Sequence, residues 1–519
     1  MNEAADTEKI NWSILIVIII GTFMAILDSS IVNVALPKMM TIFSASTDQI
    51  QWILTAYMLT LGVIMPVSGF LGDTFGYKRT YIAALSLFII GSVFCGMSWG
   101  VNSMVASRII QALGGGIMQP LGMALIYQSF PRSKIGMVLG FWGIAAMAAP
   151  AIGPTLGGYL VEYVNWRLIF YINLPIGLIN LFLAGVILKE STLIKGKHFD
   201  FVGIITSSIG LFCILLALSD GNKNGWTSPY IVGLLIISLI TLTIFVFNEL
   251  QHPEPILDLR MLKNFTFTLS IIIGSLLAMG MFGAIFLLPI LLQNVLGQTA
   301  MKTGLIMFPA ALASGVMMPL SGKLFDKYGA RGVVIAGLVL VTWTTYVMKD
   351  FNSFTPFAAM TIWLTIRGAG MGLSMMPVTT AGMNVVPPLL VGRASALSNV
   401  IRQVSSSFGI AMFTTIMQHR QVFHFSTLAQ SVNISSNEYI RLQAFLNNMA
   451  TTMGLSSSTT QTVGFSLIAQ EISKQAMISA IGDCFIVAAG LCLGALIMSF
   501  FLKDGKKITI PAQTEDASF

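Results

Sequence analysis

Five ionisable side chains stand inside long apolar runs: Asp28, Arg108, Arg367, Arg402 and Asp483. A charge at membrane depth costs about 2.5 to 3.5 kcal/mol on insertion scales, so each is a candidate for function. Asp28 is the first candidate for proton exchange, because a carboxyl group in a poorly solvated cavity can hold a proton near neutrality. Its neutral form tolerates an apolar setting. The anion needs water or a cation, and Arg108 is the expected partner. Asp483, in Ser479-Ala-Ile-Gly-Asp-Cys484, is the second proton-binding candidate. Arg367 opens Arg367-Gly-Ala-Gly-Met-Gly372 and echoes Arg108, which precedes Gly114-Gly115-Gly116. With Arg402, Gln403, Asn33 and Gln111 it is expected to line a substrate cavity.

Other chemistries lack their residues. The Gly-Lys pairs ending at Lys197, Lys323 and Lys506 are followed by His198, Leu324 and Lys507, so there is no phosphate-binding GxxxxGK[ST] loop. Neither HExxH nor GxSxG occurs, and His198, His252, His419 and His424 are all read as loop residues. Cys95, Cys213, Cys484 and Cys492 fall in apolar runs without a metal or redox spacing and are read as packing residues. The expectation is a non-enzyme with no metal and no cofactor.

The elements that must carry these side chains follow from composition. Of 519 residues, 55% are hydrophobic and 9% charged, against roughly 25% charged in a soluble domain. Apolar runs at about 12 to 36, 50 to 71, 80 to 100, 104 to 127, 135 to 161 and 168 to 188 form one set of six spans. A second set of six lies at about 267 to 293, 303 to 322, 332 to 348, 356 to 377, 394 to 417 and 476 to 502. Two further runs, about 201 to 219 and 229 to 247, lie between them, giving fourteen in all. The fold class is therefore an all-α integral membrane protein. The net charge of +7 reads as orientation and not as nucleic-acid binding. With the N-terminus inside, seventeen Lys and Arg fall in inner loops and eight in outer ones, which places both termini in the cytoplasm. Met1 to Asn11 carries three acids and Lys9, unlike the basic start of a cleaved signal peptide, so the first span is expected to be retained.

An internal repeat organises the spans. Ser68-Gly-Phe-Leu-Gly-Asp-Thr-Phe-Gly-Tyr-Lys-Arg79 aligns without gaps on Ser321-Gly-Lys-Leu-Phe-Asp-Lys-Tyr-Gly-Ala-Arg-Gly332. Each copy joins the second and third spans of its set. Asp73, Gly76 and Arg79, with Asp326, Gly329 and Arg331 in the second copy, are expected to form a conformational latch that pairs with neighbouring helix ends in one state and releases in another. In the fifth span Pro150, Gly153, Pro154 and Gly157 put small residues four apart on one face, where another helix can come close, beside prolines that bend the rod.

The repeat, with Leu27-Asp28-Ser29-Ser30-Ile31-Val32-Asn33, Arg108-Ile-Ile-Gln111, Ala149-Pro150-Ala-Ile-Gly153-Pro154 and Asn165-Trp166-Arg167 through Ile172-Asn173-Leu-Pro175, resembles the major facilitator superfamily. The fourteen spans, the inserted pair and the long loop before the last span resemble the EmrB/QacA-type drug:proton antiporters, and the EmrB branch most. The resemblance implies a fold of two six-helix bundles plus two inserted helices. It also implies drug export driven by the proton gradient across a bacterial cytoplasmic (inner) membrane, with the acid of the first span coupling proton and drug and the fifth span acting as a gating helix. The units are then 1–11, a cytoplasmic N-terminus; 12–188, the first bundle; 189–266, the linker with two extra helices; 267–502, the second bundle with outer loop 418–474; and 503–519, a cytoplasmic tail.

The substrate class is read from apolar, adaptable side chains. Met279, Met281, Met317, Met318, Met371, Met375 and Met376 suit small amphiphilic or lipophilic drugs. Three intramembrane arginines against two acids lean toward neutral or weakly acidic ones. Loop 418–474 is polar, and Tyr439, Leu442, Phe445, Leu446 and Met449 have helical spacing within it. There the resemblance implies a docking surface for a periplasmic adaptor that leads to an outer-membrane channel. A dedicated metabolite or siderophore exporter and a non-transporting membrane sensor are the other readings.

Overall fold

The computed structural model describes residues 12–131, 134–190, 200–387, 390–431 and 457–502, together with Ile440, Arg441, Ala444, Phe445 and Asn448. The two termini, Tyr439, Leu442, Leu446, Met449 and the side chain of Pro154 lie outside the described residues. Backbone polar groups in hydrocarbon must be satisfied within the chain, and every long element among the described residues is accordingly a helix.

The first set comprises α1 (Trp12–Ile42), α2 (Thr47–Phe75), α3 (Tyr77–Met97), α4 (Val101–Ser129), α5 (Ile135–Tyr159) and α6 (Leu168–Ile187). The inserted pair is α7 (Phe201–Asn224) and α8 (Pro229–Gln251). The second set is α9 (Phe265–Pro289), α10 (Ala300–Tyr328), α11 (Ala330–Val347), α12 (Phe357–Asn384), α13 (Val391–Ser431) and α14 (Ser457–Ser499). Twelve of the described helices are long and apolar enough to cross a membrane, and α12 and α13 are outside that count. Their polar residues explain this. Arg367, Ser374 and Thr380 of α12 and Ser395, Asn399 and Ser406 of α13 are buried against protein, where a span need not meet lipid.

Local signals set the helix starts. Ser46 and Gln49 exchange hydrogen bonds in a capping box at α2, and Asp200, Ser228, Asn264 and Thr299 cap α7, α8, α9 and α10. Gly76 (φ 91°) and Gly329 (φ 84°) turn the chain between α2 and α3 and between α10 and α11, at a backbone conformation that side chains resist.

The two sets meet along two seams, α5 on α10 and α2 on α13. Both seams are backbone contacts. A methyl group on Gly322 would stand 2.4 Å from the Gly136 carbonyl oxygen, and one on Gly69 would stand 3.1 Å from that of Gly392. Gly69 and Gly322 are equivalent positions of the repeat, so the seams are related by its pseudosymmetry. The inserted pair leans on α2 and α13. Only 17% of the most apolar stretch of α8 is buried, which leaves that helix to face lipid.

The polar loop read at 418–474 is shorter than expected. Helix α13 continues to Ser431 and α14 begins at Ser457, so His419 and His424 are helical, contrary to the expectation of loop residues. The two helices pack on each other, and Arg420 and His424, just past the apolar run that ends near 417, tie the extension of α13 to Asp483 of α14.

Candidate functional site

Asp28 lies midway along α1, and Arg108 and Gln111 lie one turn apart on α4. Gly91 lets α3 and α4 touch, since a methyl group there would stand 2.4 Å from the Gln111 nitrogen. That contact brings Ser92 of α3 to the same point, and Asn173 of α6 completes the group. Arg108 Nη1 donates to Asp28 Oδ2 in an ion pair. Gln111 Nε2 donates to Asp28 Oδ1 at 2.8 Å and Asn173 Nδ2 to the same oxygen at 3.2 Å. Gln111 Nε2 is also 2.7 Å from Ser92 Oγ, and its Oε1 accepts from Arg108 Nη1 at 2.7 Å.

The guanidinium lies over the ring of Tyr57 of α2, with Cζ 3.8 Å from the centroid, and Nε reaches the Ile53 carbonyl at 3.4 Å. Asp28 is 1% exposed and Arg108 0%, so the pair is sealed inside the first bundle. Nη2 of Arg108 is buried with no hydrogen-bond partner among the described residues. A buried pair of this kind repays its desolvation only while both charges are present.

Of the expected cavity residues, Gln111 is placed in this cluster and not on an open wall, because its amide is needed to saturate the carboxylate. Asn33 is exposed on α1 and donates to the Ser29 carbonyl at 3.2 Å. Arg402 donates to Asn399 on its own helix, and Gln403 Nε2 reaches Met58 Sδ across the α2–α13 seam at 3.9 Å. Arg367 occupies the echo position in the second bundle, buried, donating to Thr345 Oγ1 at 3.1 Å and to the Gly280 carbonyl at 3.2 Å. Among the described residues no carboxylate pairs with it. Asp483 is not part of this cluster. It is half-buried between α13 and α14, bound by Arg420 Nε at 2.5 Å and lying 2.7 Å from His424 Nε2. Of the methionines, Met318, Met371 and Met376 are buried packing residues.

The repeat residues meet at one end of the seams. Asp73 is buried and paired with Arg393 Nε of α13 at 3.4 Å, and it accepts from Tyr77 Oη at 2.8 Å. Asp326 stands beside Gly136 in the first turn of α5, its Oδ1 3.1 Å from where a methyl group on Gly136 would be. Each aspartate thus faces the start of the fifth helix of the other bundle, where the helix dipole favours an anion. The basic residues bind elsewhere: Arg79 pairs with Glu190 at 3.2 Å, Lys78 donates to the Gly185 carbonyl at 2.7 Å, and Arg331 donates to the Phe500 carbonyl.

Farther along α5, a methyl group on Gly153 would stand 2.0 Å from Ser30 Oγ, and one on Gly157 would stand 2.8 Å from Ile31 Cγ1. Gly153 and Gly157 therefore hold α5 against α1, two residues from Asp28, with Pro150 half-buried beside them. Sequence reasoning missed Arg393, Tyr57, Ser92 and Asn173. Arg393 carried one signal, a cation at the very start of the span read from about 394.

The family model described as Major Facilitator Superfamily matches residues 18–410. The chain is 38% identical over 496 residues to the uncharacterised MFS-type transporter YhcA of Bacillus subtilis (strain 168), covering 95% of this chain and 93% of that one. It is 30% identical over 490 residues to the multidrug export protein EmrB of Escherichia coli (strain K12), covering 93% and 94%. The solved structure of the proton:xylose symporter XylE bound to 6-bromo-6-deoxy-D-glucose matches with a TM-score of 0.60 at 14% identity, over 96% of each chain, a likeness of fold alone. Two helical bundles joined along paired seams are the architecture of the major facilitator fold, and these relatives are transporters, not enzymes. The chain belongs to the major facilitator superfamily and is kin to bacterial multidrug transporters.

Proposed function

We propose that this protein is a proton-coupled multidrug exporter of the EmrB/QacA type, moving lipophilic or amphiphilic compounds out of a bacterial cytoplasm by alternating access. One observation carries the reading. The dry Asp28–Arg108 pair ties α1 to α4, α1 is locked to α5 through Ser30 and Ile31, and the other end of α5 forms the seam with α10. Protonating Asp28 removes the counter-charge of Arg108 and loosens α1 against α4, and the Gly153 and Gly157 contact passes that shift to the seam. The distribution of Lys and Arg puts the Gly76 and Gly329 turns in the cytoplasm, so the described state is closed toward the cell interior. The proton gradient is the energy source, with Asp73–Arg393 and Asp326 at the start of α5 as the latch.

Arg402, Gln403, Asn33 and Arg367 are the proposed substrate contacts, and Asp483, held by Arg420, is a secondary proton site. An adaptor would dock on the outer ends of α13 and α14. Dye efflux from cells, with and without a protonophore, tests the proposal. Export that needs the gradient in the wild type and is lost in Asp28→Asn supports it; equal export by the mutant refutes coupling through Asp28. Trials with several unrelated dyes separate it from a metabolite or siderophore exporter, which moves one chemical class. Liposomes that move nothing under any proton gradient favour a membrane sensor.

A further inference from the structure

The inserted helices carry an acid pair that the transport scheme does not use. Asp200 caps α7, accepting from the Gly203 nitrogen at 2.7 Å, and Asn248 Nδ2 of α8 donates to both of its oxygens at 2.9 Å. Glu249, the next residue of α8, is 0% exposed. Its Oε2 accepts from the Leu257 nitrogen at 3.2 Å, but its Oε1 is buried without a hydrogen-bond partner among the described residues. That oxygen and the Asp200 carboxylate converge on one spot over Gly203. A methyl group there would stand 2.3 Å from Asp200 Oδ2 and 2.8 Å from Glu249 Oε1.

Two carboxylates facing each other out of water cannot both keep their charge, and a single proton between them satisfies the unpartnered oxygen. Among the described residues the cationic neighbour is Arg393, which is paired with Asp73: Leu257, from whose nitrogen Glu249 accepts, shares an apolar cluster with Val391 and Ala394, which flank Arg393. Among the described residues the other charged and titratable groups near this corner are engaged elsewhere. Tyr77 donates to Asp73, Arg260 donates to the Leu250 and His252 carbonyls, and His252 Nδ1 accepts from the Glu254 nitrogen.

We propose that Asp200 and Glu249 form a proton-binding site that holds one shared proton, and that this proton keeps Glu249 from competing with Asp73 for Arg393. The inserted pair thereby senses protons at the end of the seams where α2 meets α13. Loss of the proton leaves a second carboxylate beside Arg393 and draws the guanidinium from Asp73. The site stands apart from Asp28 and does not depend on what the protein exports.

Infrared difference spectroscopy of the full-length protein in lipid nanodiscs tests it without a transport assay. The wild type is expected to show the carbonyl stretch of a protonated carboxyl group at neutral pH, lost on alkaline titration. Glu249→Gln should lack the band, Asp200→Asn should lose it at lower pH, and Asp28→Asn should keep it. Both replacements at the pair are isosteric, and Asn is as good a helix cap as Asp. A band that survives Glu249→Gln, or that Asp28→Asn removes, overturns the site. Amide exchange in the first turn of α13, corrected for intrinsic rates, should rise with pH in the wild type and stay flat in Glu249→Gln. Equal rises in both overturn the link to Arg393.

Discussion

Asp28 takes three donors, one of them charged, and Arg108 rests on an aromatic face, so neither charge is solvated by water. Removing one partner leaves the other buried and uncompensated. Arg108→Gln is expected to destabilise the protein by about 3–5 kcal/mol, and Arg108→Gln combined with Asp28→Asn by clearly less than that. Thermal unfolding of the detergent-solubilised protein checks this; a double variant as unstable as the sum of the singles would mean the two groups do not act as a pair. The acid and its cation were legible in the sequence, because a charge within an apolar run announces itself. Ser92, Asn173 and Tyr57 were not, since a small hydroxyl, an amide or a phenol is an ordinary sight in a membrane helix and only packing shows which way it faces. Gln111 had the right address and the wrong surroundings for the same reason.

At the scale of helices, glycine sets how closely the bundles approach. Gly69 faces the backbone at Gly392 and Arg393, with no flexible side chain to give way. Gly69→Leu therefore wedges α2 from α13. Ser395 of α13, fully buried and donating to the Pro120 carbonyl of α4 at 3.1 Å, reports on how closely α13 stays against the first bundle beside that seam. A cysteine at Ser395 should react slowly with a membrane-permeant thiol reagent in the parent and roughly tenfold faster with the wedge, since about 1.4 kcal/mol of overpacking strain is a factor of ten. Unchanged labelling would show that the seam is not the contact that closes this end. The native cysteines are all buried and give a low background. The repeat at 68–79 and 321–332 located the turns from sequence, and Gly76 and Gly329 occupy them. The ends of α13 and α14 were not legible, because a polar stretch continues a helix only when a neighbouring helix supports it.

Across the whole molecule the pseudosymmetry of the seams is broken at the buried cations. The first bundle pairs Arg108 with Asp28, while Arg367 in the second has only neutral partners among the described residues. On the proposed scheme a proton exchanged at Asp28 changes the charge balance of one bundle alone, and the scaffold need only let the other follow through α5 and α10. Under this scheme the amide of Asp28→Asn imitates the protonated acid permanently. In proteoliposomes the variant should still exchange labelled for unlabelled substrate down a concentration gradient, yet fail to accumulate substrate when a pH gradient is imposed. Retained exchange with lost accumulation places Asp28 in coupling and leaves alternating access intact. Loss of both, in a variant that unfolds at the wild-type temperature, would make the ion pair a hinge of the conformational change itself and move the coupling proton to another carboxyl group.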